Sequence, residues 1–307
     1  MRERDTKHPG LACGAAAVSL AIMVIAGGCA SSEPVRLSKI DIPTADGAIR
    51  GYAATVNLRD PRVRLVGTSA LAADSVKPAG AEARLVPTDE WARSVDATLA
   101  INANYFGRVA GGAGAWKAGE YVDVLGLSIA DGVVVSPVRE YAGRPDPALA
   151  VFADGRAVAG YLRASDVVGA RVGVASIGPS DTDPARGTML VDDAVNLGGT
   201  ARVEPSERHP RTAVGVSRDG SMLIIVAIDG RSPGHSIGAT LNETGDILIG
   251  LGAFDAINLD GGGSTSFVYV PTDGPSVQNR PSDGAFRPVA NHLGVRITPR
   301  AQRSPSS

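Results

Sequence analysis

Two short apolar runs, 222–228 and 256–259, each stop at an Asp-Gly pair, and an amphipathic stretch over about 240–250 lies between them. Runs of this length bounded by turn residues read as strands, and the stretch between them reads as a helix. Glu243 falls in its first turn, where the macrodipole favours an acid. A strand-helix-strand unit of this length normally makes a right-handed crossover between parallel strands. That geometry delivers Asp229 and Asp260 to the same edge of one sheet, where open sheets with helical crossovers hold their ligands.

The second run continues straight into Asp260-Gly261-Gly262-Gly263-Ser264-Thr265. Three glycines remove every Cβ and tolerate positive φ, so the amides of 261–264 can come close to a phosphate or a sugar, with Thr265 adding a second hydroxyl. A tight turn is the plainer reading of a Gly-Gly pair. Asp229, Glu243 and Asp260 are the candidate catalytic carboxylates, because glycosyl transfer needs one near the anomeric carbon and another to activate water or carry a proton. Arg211 and Arg231 are the candidate phosphate ligands, since guanidinium offers paired N–H groups and keeps its charge. Ordinary surface or ion-paired arginines fit the same positions. Asn102 and Asn104 share one face of a strand, and an amide that both donates and accepts suits a sugar hydroxyl or acetamido group, although strand-end asparagines also cap turns. His209 and His235 come without a His-x-x-x-His pair or a cysteine cluster, which argues against zinc. No cofactor is required by this chemistry, and a calcium ion held by oxygen ligands stays open.

At the N-terminus, Arg2, Arg4 and Lys7 precede an apolar run over 11–26 that ends at Gly27-Gly28-Cys29. The run is short for a membrane span of about 20 residues, and small residues before a cysteine fit a bacterial lipoprotein signal. Cleavage would leave Cys29 as a lipidated N-terminus, tethering the protein to a membrane outside the cytoplasm. Cys13 lies within the signal, so the folded part has neither a disulfide nor a cysteine metal site. The expected division is a signal at 1–28, a tether at 29–34, one domain at 35–299 and a disordered tail at 300–307. A 28-residue leader taken from 307 residues leaves 279, enough for a sizeable core. The net charge is −2 with no block of like charge, which excludes nucleic acid as a partner.

Further strands are expected over 35–42, 49–58 and 62–68, and a helix over 88–99 with Thr88 as its N-cap. A mobile glycine-rich loop bearing Trp116 is expected over 107–120, short strands over 122–175 and a polar insertion over 178–199. No repeat of constant period appears. The resulting fold class is α+β, a single domain with a mixed β-sheet and a C-terminal β-α-β unit carrying the site.

The run Arg211-Thr-Ala-Val-Gly215, the strand end Ala227-Ile-Asp-Gly230, Gly238-Ala-Thr-Leu-Asn-Glu243, Ala256-Ile-Asn-Leu-Asp-Gly-Gly-Gly-Ser-Thr265 and Pro281-Ser-Asp283, in this order, resemble the phosphodiester glycosidase family. Asp60-Pro-Arg-Val-Arg-Leu65 and Ala100-Ile-Asn-Ala-Asn-Tyr-Phe106 are similar to its upstream segments, so the resemblance covers about 35–299. The chain departs from the family at Asn104, where glycine is commoner, and at Tyr105, which replaces the first of two aromatics. The resemblance implies removal of a sugar from a phosphodiester-linked glycan at C1–O, with Asp260 or Asp229 assisting water and Arg211, Arg231 and the 261–264 amides holding the departing phosphate. Two other readings fit the same residues: a metal-dependent phosphodiesterase, and a lipoprotein that binds envelope glycans without cleaving them.

Overall fold

The computed structural model describes residues 33–73, 76–109, 111, 113–178, 180, 187–271 and 274–299, together with the backbone of 22–24. Cys29, most of the expected signal and tether, and the tail from 300 lie outside the described residues. The elements that position the site are β1 (Val35–Thr44), β2 (Gly47–Asn57), β3 (Val63–Gly67), α1 (Thr88–Ser94), β4 (Leu99–Asn102), β5 (Met189–Asp192), β6 (Arg211–Val216), β7 (Met222–Ile228), α2 (Leu241–Gly250), β8 (Asp255–Asn258), β9 (Phe267–Tyr269) and β10 (His292–Ile297).

The main sheet has the order Ile22–Val24, β1, β2, β7, β6, β8, β5, Val195–Asn196. A second sheet is built from strands between 128 and 175, and a third runs Val277–Gln278, β9, β4, β10, β3. Successive residues of a strand point to opposite faces, and β7 uses both. Leu223, Ile225 and Ala227 face a core shared with Leu149 and Val174 of the second sheet and Leu99, Ile101 and Phe267 of the third. Ile224, Val226 and Ile228 face the other way, onto Leu241, Ile247 and Leu248 from α2. The protein is therefore mostly β, with several sheets in one domain and α2 covering the outer face of the largest.

Burial of both faces explains why 222–228 is apolar without a break. Such runs are usual in parallel sheets, and here the inference to a mixed sheet does not hold, because every strand pairing among the described residues is antiparallel. β6 lies between β7 and β8 and runs against both. The two acid-bearing strands are consequently parallel to each other but one strand apart.

Three smaller expectations also change. The region 178–199 contains β5, which extends the main sheet because Met189, Leu190 and Val191 are buried. The helix α1 ends at Ser94, and Leu99 already belongs to β4; Pro87 takes the cap position while Thr88 is the first helical residue. In the glycine-rich loop, Trp116 is held between the Phe106 ring at 4.8 Å and the Arg108 guanidinium at 4.0 Å. No helix among the described residues is long and apolar enough to cross a membrane.

Candidate active site

The ends of β7 and β8 close on Pro210 from two sides. A Cβ on Gly230 would lie 2.7 Å from Pro210 N, and one on Gly261 would lie 2.9 Å from Pro210 O, so both positions require glycine. Asp229 and Asp260, each one residue earlier, are thereby fixed at one edge of the sheet.

Asp260 is tied to β4: its N–H donates to Ala103 O at 3.0 Å, and its carbonyl accepts from Asn102 Nδ2 at 2.6 Å. Its carboxyl group is pushed up to about 6, because burial disfavours the charged form more than the Ser264 hydroxyl, the Arg287 guanidinium and the Gly261 amide favour it. Below it, the Tyr105 hydroxyl accepts from Asn258 Nδ2 at 2.9 Å. Burial, and then the charge of Asp260, raise the phenol above its ordinary value.

The glycine loop does not offer an open row of amides. Gly262 N donates to Pro210 O at 2.9 Å, Ser264 N to Gly261 O at 3.1 Å and Thr265 N to Gly262 O at 3.2 Å, so these three amides are spent on the turn over Gly262–Ser264 and on its tie to Pro210. The glycines instead seat two arginines. A Cβ on Gly262 would stand 3.3 Å from Arg231 Nη1, and one on Gly263 would collide with the Arg287 guanidinium. Arg287 is oriented by Asp283, with Nη2 to Oδ2 at 2.7 Å. Two guanidinium groups thus lie on the backbone beside Asp260.

Asp229 is 2% exposed and its carboxylate is fully engaged. Oδ1 accepts from Asn279 Nδ2 and from the Arg280 amide, each at 3.0 Å, while Oδ2 lies 2.7 Å from His235 Nε2. His235 sits in a tight turn closed by Ser232 and Ser236, and Arg50 Nη1 donates to its carbonyl at 2.8 Å.

Four sequence-based candidates have structural partners instead of an open face. Asn102 accepts on Oδ1 from Thr212 Oγ1 at 2.8 Å and Ser266 N at 3.0 Å. Asn104 donates to Leu125 O and Leu127 O, each at 3.0 Å, and accepts from Ala175 N and Asn291 Nδ2. These two amides stitch sheets together. Arg211 is 3% exposed and donates to the carbonyls of Ala239, Val203, Glu204 and Glu207, holding the preceding loop. Glu243 accepts from Thr240 N at 2.9 Å in a capping box and pairs with Arg208 at 2.8 Å.

Arg231 donates through Nη2 to His209 Nδ1 at 3.1 Å, while His209 Nε2 lies 2.7 Å from Glu204 and 3.3 Å from Glu207. The ligand atoms of His209, Glu204 and Glu207 fall within 4.8 Å of one another. A guanidinium only donates, so this contact puts the ring proton on Nε2 and turns an N–H, not a lone pair, toward the carboxylates.

The residues missed by sequence reasoning are His235 as the partner of Asp229, Arg287, Asn279 and Arg280. Asp283, four residues before Arg287, was the only nearby signal.

A family model described as phosphodiester glycosidase matches residues 96–296. Among solved structures, the zebrafish N-acetylglucosamine-1-phosphodiester alpha-N-acetylglucosaminidase catalytic domain, auto-inhibited by its pro-peptide, is similar at 19% identity with a TM-score of 0.57, covering 90% of this chain and 88% of that one. A hypothetical protein from Synechocystis is similar at 19% identity and a TM-score of 0.58; the match covers 86% of this chain and 62% of that one. These likenesses concern the fold. A prophage-derived uncharacterized protein YomE of Bacillus subtilis is 36% identical over 88 residues, 29% of this chain and 13% of that protein's length. The family match spans most of the chain and contains Asp229, Asp260 and the glycine loop, so the protein belongs to the phosphodiester glycosidase family.

Proposed function

We propose that this protein hydrolyses an α-glycosyl-1-phosphodiester at the C1–O bond, releasing the sugar and a phosphomonoester. The observation that carries the reading is a half-buried carboxyl group, Asp260, beside two guanidinium groups seated on glycine, Arg231 and Arg287. Breaking C1–O separates charge: the anomeric carbon becomes positive and the departing phosphate gains negative charge. A carboxylate at the carbon and fixed cations at the phosphate are complementary to that separation. Attack at phosphorus spreads charge over the phosphoryl oxygens and creates no cationic carbon for a neighbouring carboxylate to stabilise.

The N-acetylglucosamine-type sugar is inferred from the family and from the name of the zebrafish neighbour. The substrate is an envelope or extracellular glycan, reached from a lipid anchor at Cys29. No cofactor takes part. Radioactive palmitate should label the protein in a bacterial host and fail to label Cys29→Ser; a freely soluble, unlabelled protein would contradict the anchor.

The competing reading is a metal-dependent phosphodiesterase: the ligand atoms of Glu204, Glu207 and His209 converge, although the Arg231 contact turns an N–H of the ring rather than a lone pair toward the carboxylates. Incubation of the full chain with a GlcNAc-1-phosphodiester in oxygen-18 water separates the two. Label in the sugar and indifference to chelator support the glycosidase, whereas label in the phosphate supports the phosphodiesterase.

A further inference from the structure

His235 has three properties that the reaction described above leaves unused. Its Nε2 faces Asp229 Oδ2 at 2.7 Å, and its other nitrogen, Nδ1, has no hydrogen-bond partner among the described residues. Its side chain is 28% exposed, while that of Asp229 is 2% exposed. Asp229, in turn, cannot rotate away, because Oδ1 is held by Asn279 Nδ2 and by the Arg280 amide. The backbone of His235 is pinned as well, by Arg50 on its carbonyl and by its own N–H to Ser232 O at 3.0 Å.

The tautomer follows from these contacts. An ionised carboxylate only accepts, so Nε2 carries the proton and Nδ1 presents a lone pair. The Asp229 residue lies on the same sheet edge as Asp260, because β7 and β8 flank β6 and both close on Pro210. A buried carboxylate that orients an imidazole with a free, accessible nitrogen is the arrangement by which a histidine takes a proton during hydrolysis.

We propose that His235 is the general base of this hydrolysis and that Asp229 is its positioning residue; the proposal rests on the phosphodiester glycosidase reading. Water bonds through oxygen to C1 while one of its protons passes to His235 Nδ1. The C1–O bond to phosphate breaks, and its electron pair leaves on the phosphomonoester oxygen, which faces the guanidinium groups. The imidazolium so formed is stabilised by Asp229, and its proton returns to solvent as product leaves. If a glycosyl-enzyme ester forms first, the same base activates the water that opens it, so the assignment holds for either stereochemical route. The charged and titratable groups near the ring are Asp229, Arg50, which pairs with Asp41, and Tyr52 of the same strand β2, whose phenol is held above its ordinary pKa by burial and then by the charge of Asp229.

The test uses the full chain and a GlcNAc-1-phosphodiester. His235→Gln keeps an N–H directed at Asp229 but has no basic nitrogen. Its kcat should fall by about 100-fold or more, the low end for a general base, with KM within about twofold of the parent and an unchanged melting temperature. The acid limb of its pH–rate profile should lose one proton. His235→Gly should be partly rescued by added imidazole, which keeps the test decisive if the Gln variant folds poorly. An active parent with a His235→Gln variant within about threefold of it, or a Gly variant deaf to imidazole, overturns the base assignment alone. A parent that cleaves no glycosyl-phosphodiester overturns the functional reading, and the assignment falls with it.

Discussion

A carboxyl group whose proton is held to about pH 6 weakens the fold wherever the unfolded chain would already have lost that proton. For Asp260 the folded value lies above the ordinary one, so the native state binds the proton more tightly. Below about pH 4 both states are protonated and nothing is lost. Stability then falls as pH rises to about 6, and above that the cost persists, at most about 3 kcal/mol for a shift of about two units and less for a carboxyl group that is only partly buried. Asp260→Asn should therefore unfold at higher denaturant concentration than the parent at pH 7 and at nearly the same concentration at pH 3.5. Its turnover should nonetheless drop at least about 100-fold. Equal or lower stability at pH 7 would show that the burial of Asp260 has been misjudged. The two arginines expected to bind phosphate part company in the same kind of experiment. Arg211→Ala strips four carbonyls of a buried cation and should cost about 3 kcal/mol or more of stability. Arg231→Ala, at an exposed side chain, should leave stability within about 0.5 kcal/mol and lower kcat/KM by about 100- to 1,000-fold.

At the level of elements, α2 is held at its start by Thr240 and Glu243 acting reciprocally, with Arg208 on the outer side of the carboxylate. Glu243→Ala should cost about 1–2 kcal/mol in thermal or chemical unfolding while leaving turnover near the parent's, which a catalytic carboxylate would not allow. This element was legible: periodicity, the acid in the first turn and the flanking strands all fixed where α2 lies. What the sequence hid was β6 between β7 and β8. Insertion of a strand depends on which edges meet after the chain has left and returned, and Arg211–Val216 has the same apolar character as its neighbours. The strand ends bearing Asp229 and Asp260 were readable because Asp-Gly punctuates a run locally. Side-chain partners were not, since Asn279 and Arg280 reach Asp229 from about 50 residues away. The arginine at 211 misled for the same reason, because three of its four carbonyl partners come from the preceding loop and the fourth, Ala239, from the segment before α2, neither of which marks itself as a partner.

On the scale of the whole molecule, three sheets share one core and the largest carries the site on its edge, so Asp229 and Asp260 stand just past the ends of rigid strands while Arg231, His235 and Arg287 come from the connections beside them. The two guanidinium groups resting on Gly262 and Gly263 then have an effect beyond contact with bound substrate. The chain as a whole carries a charge of −2, so an anionic glycan approaching at random meets weak repulsion over most of the surface. At the glycine loop it meets the guanidinium groups of Arg231 and Arg287 on adjacent residues, two cations that favour an anion locally, the second of them shared with Asp283. Such a patch draws in ligands over roughly one Debye length, about 8 Å at physiological ionic strength, and shrinks as salt is added. Raising salt from low to high should depress kcat/KM for a phosphodiester substrate severalfold while leaving an uncharged glycoside of the same sugar unaffected, as stopped-flow or initial-rate measurements at several ionic strengths would record. The glycine triplet is then an antenna as well as a turn, setting how often the right molecule arrives.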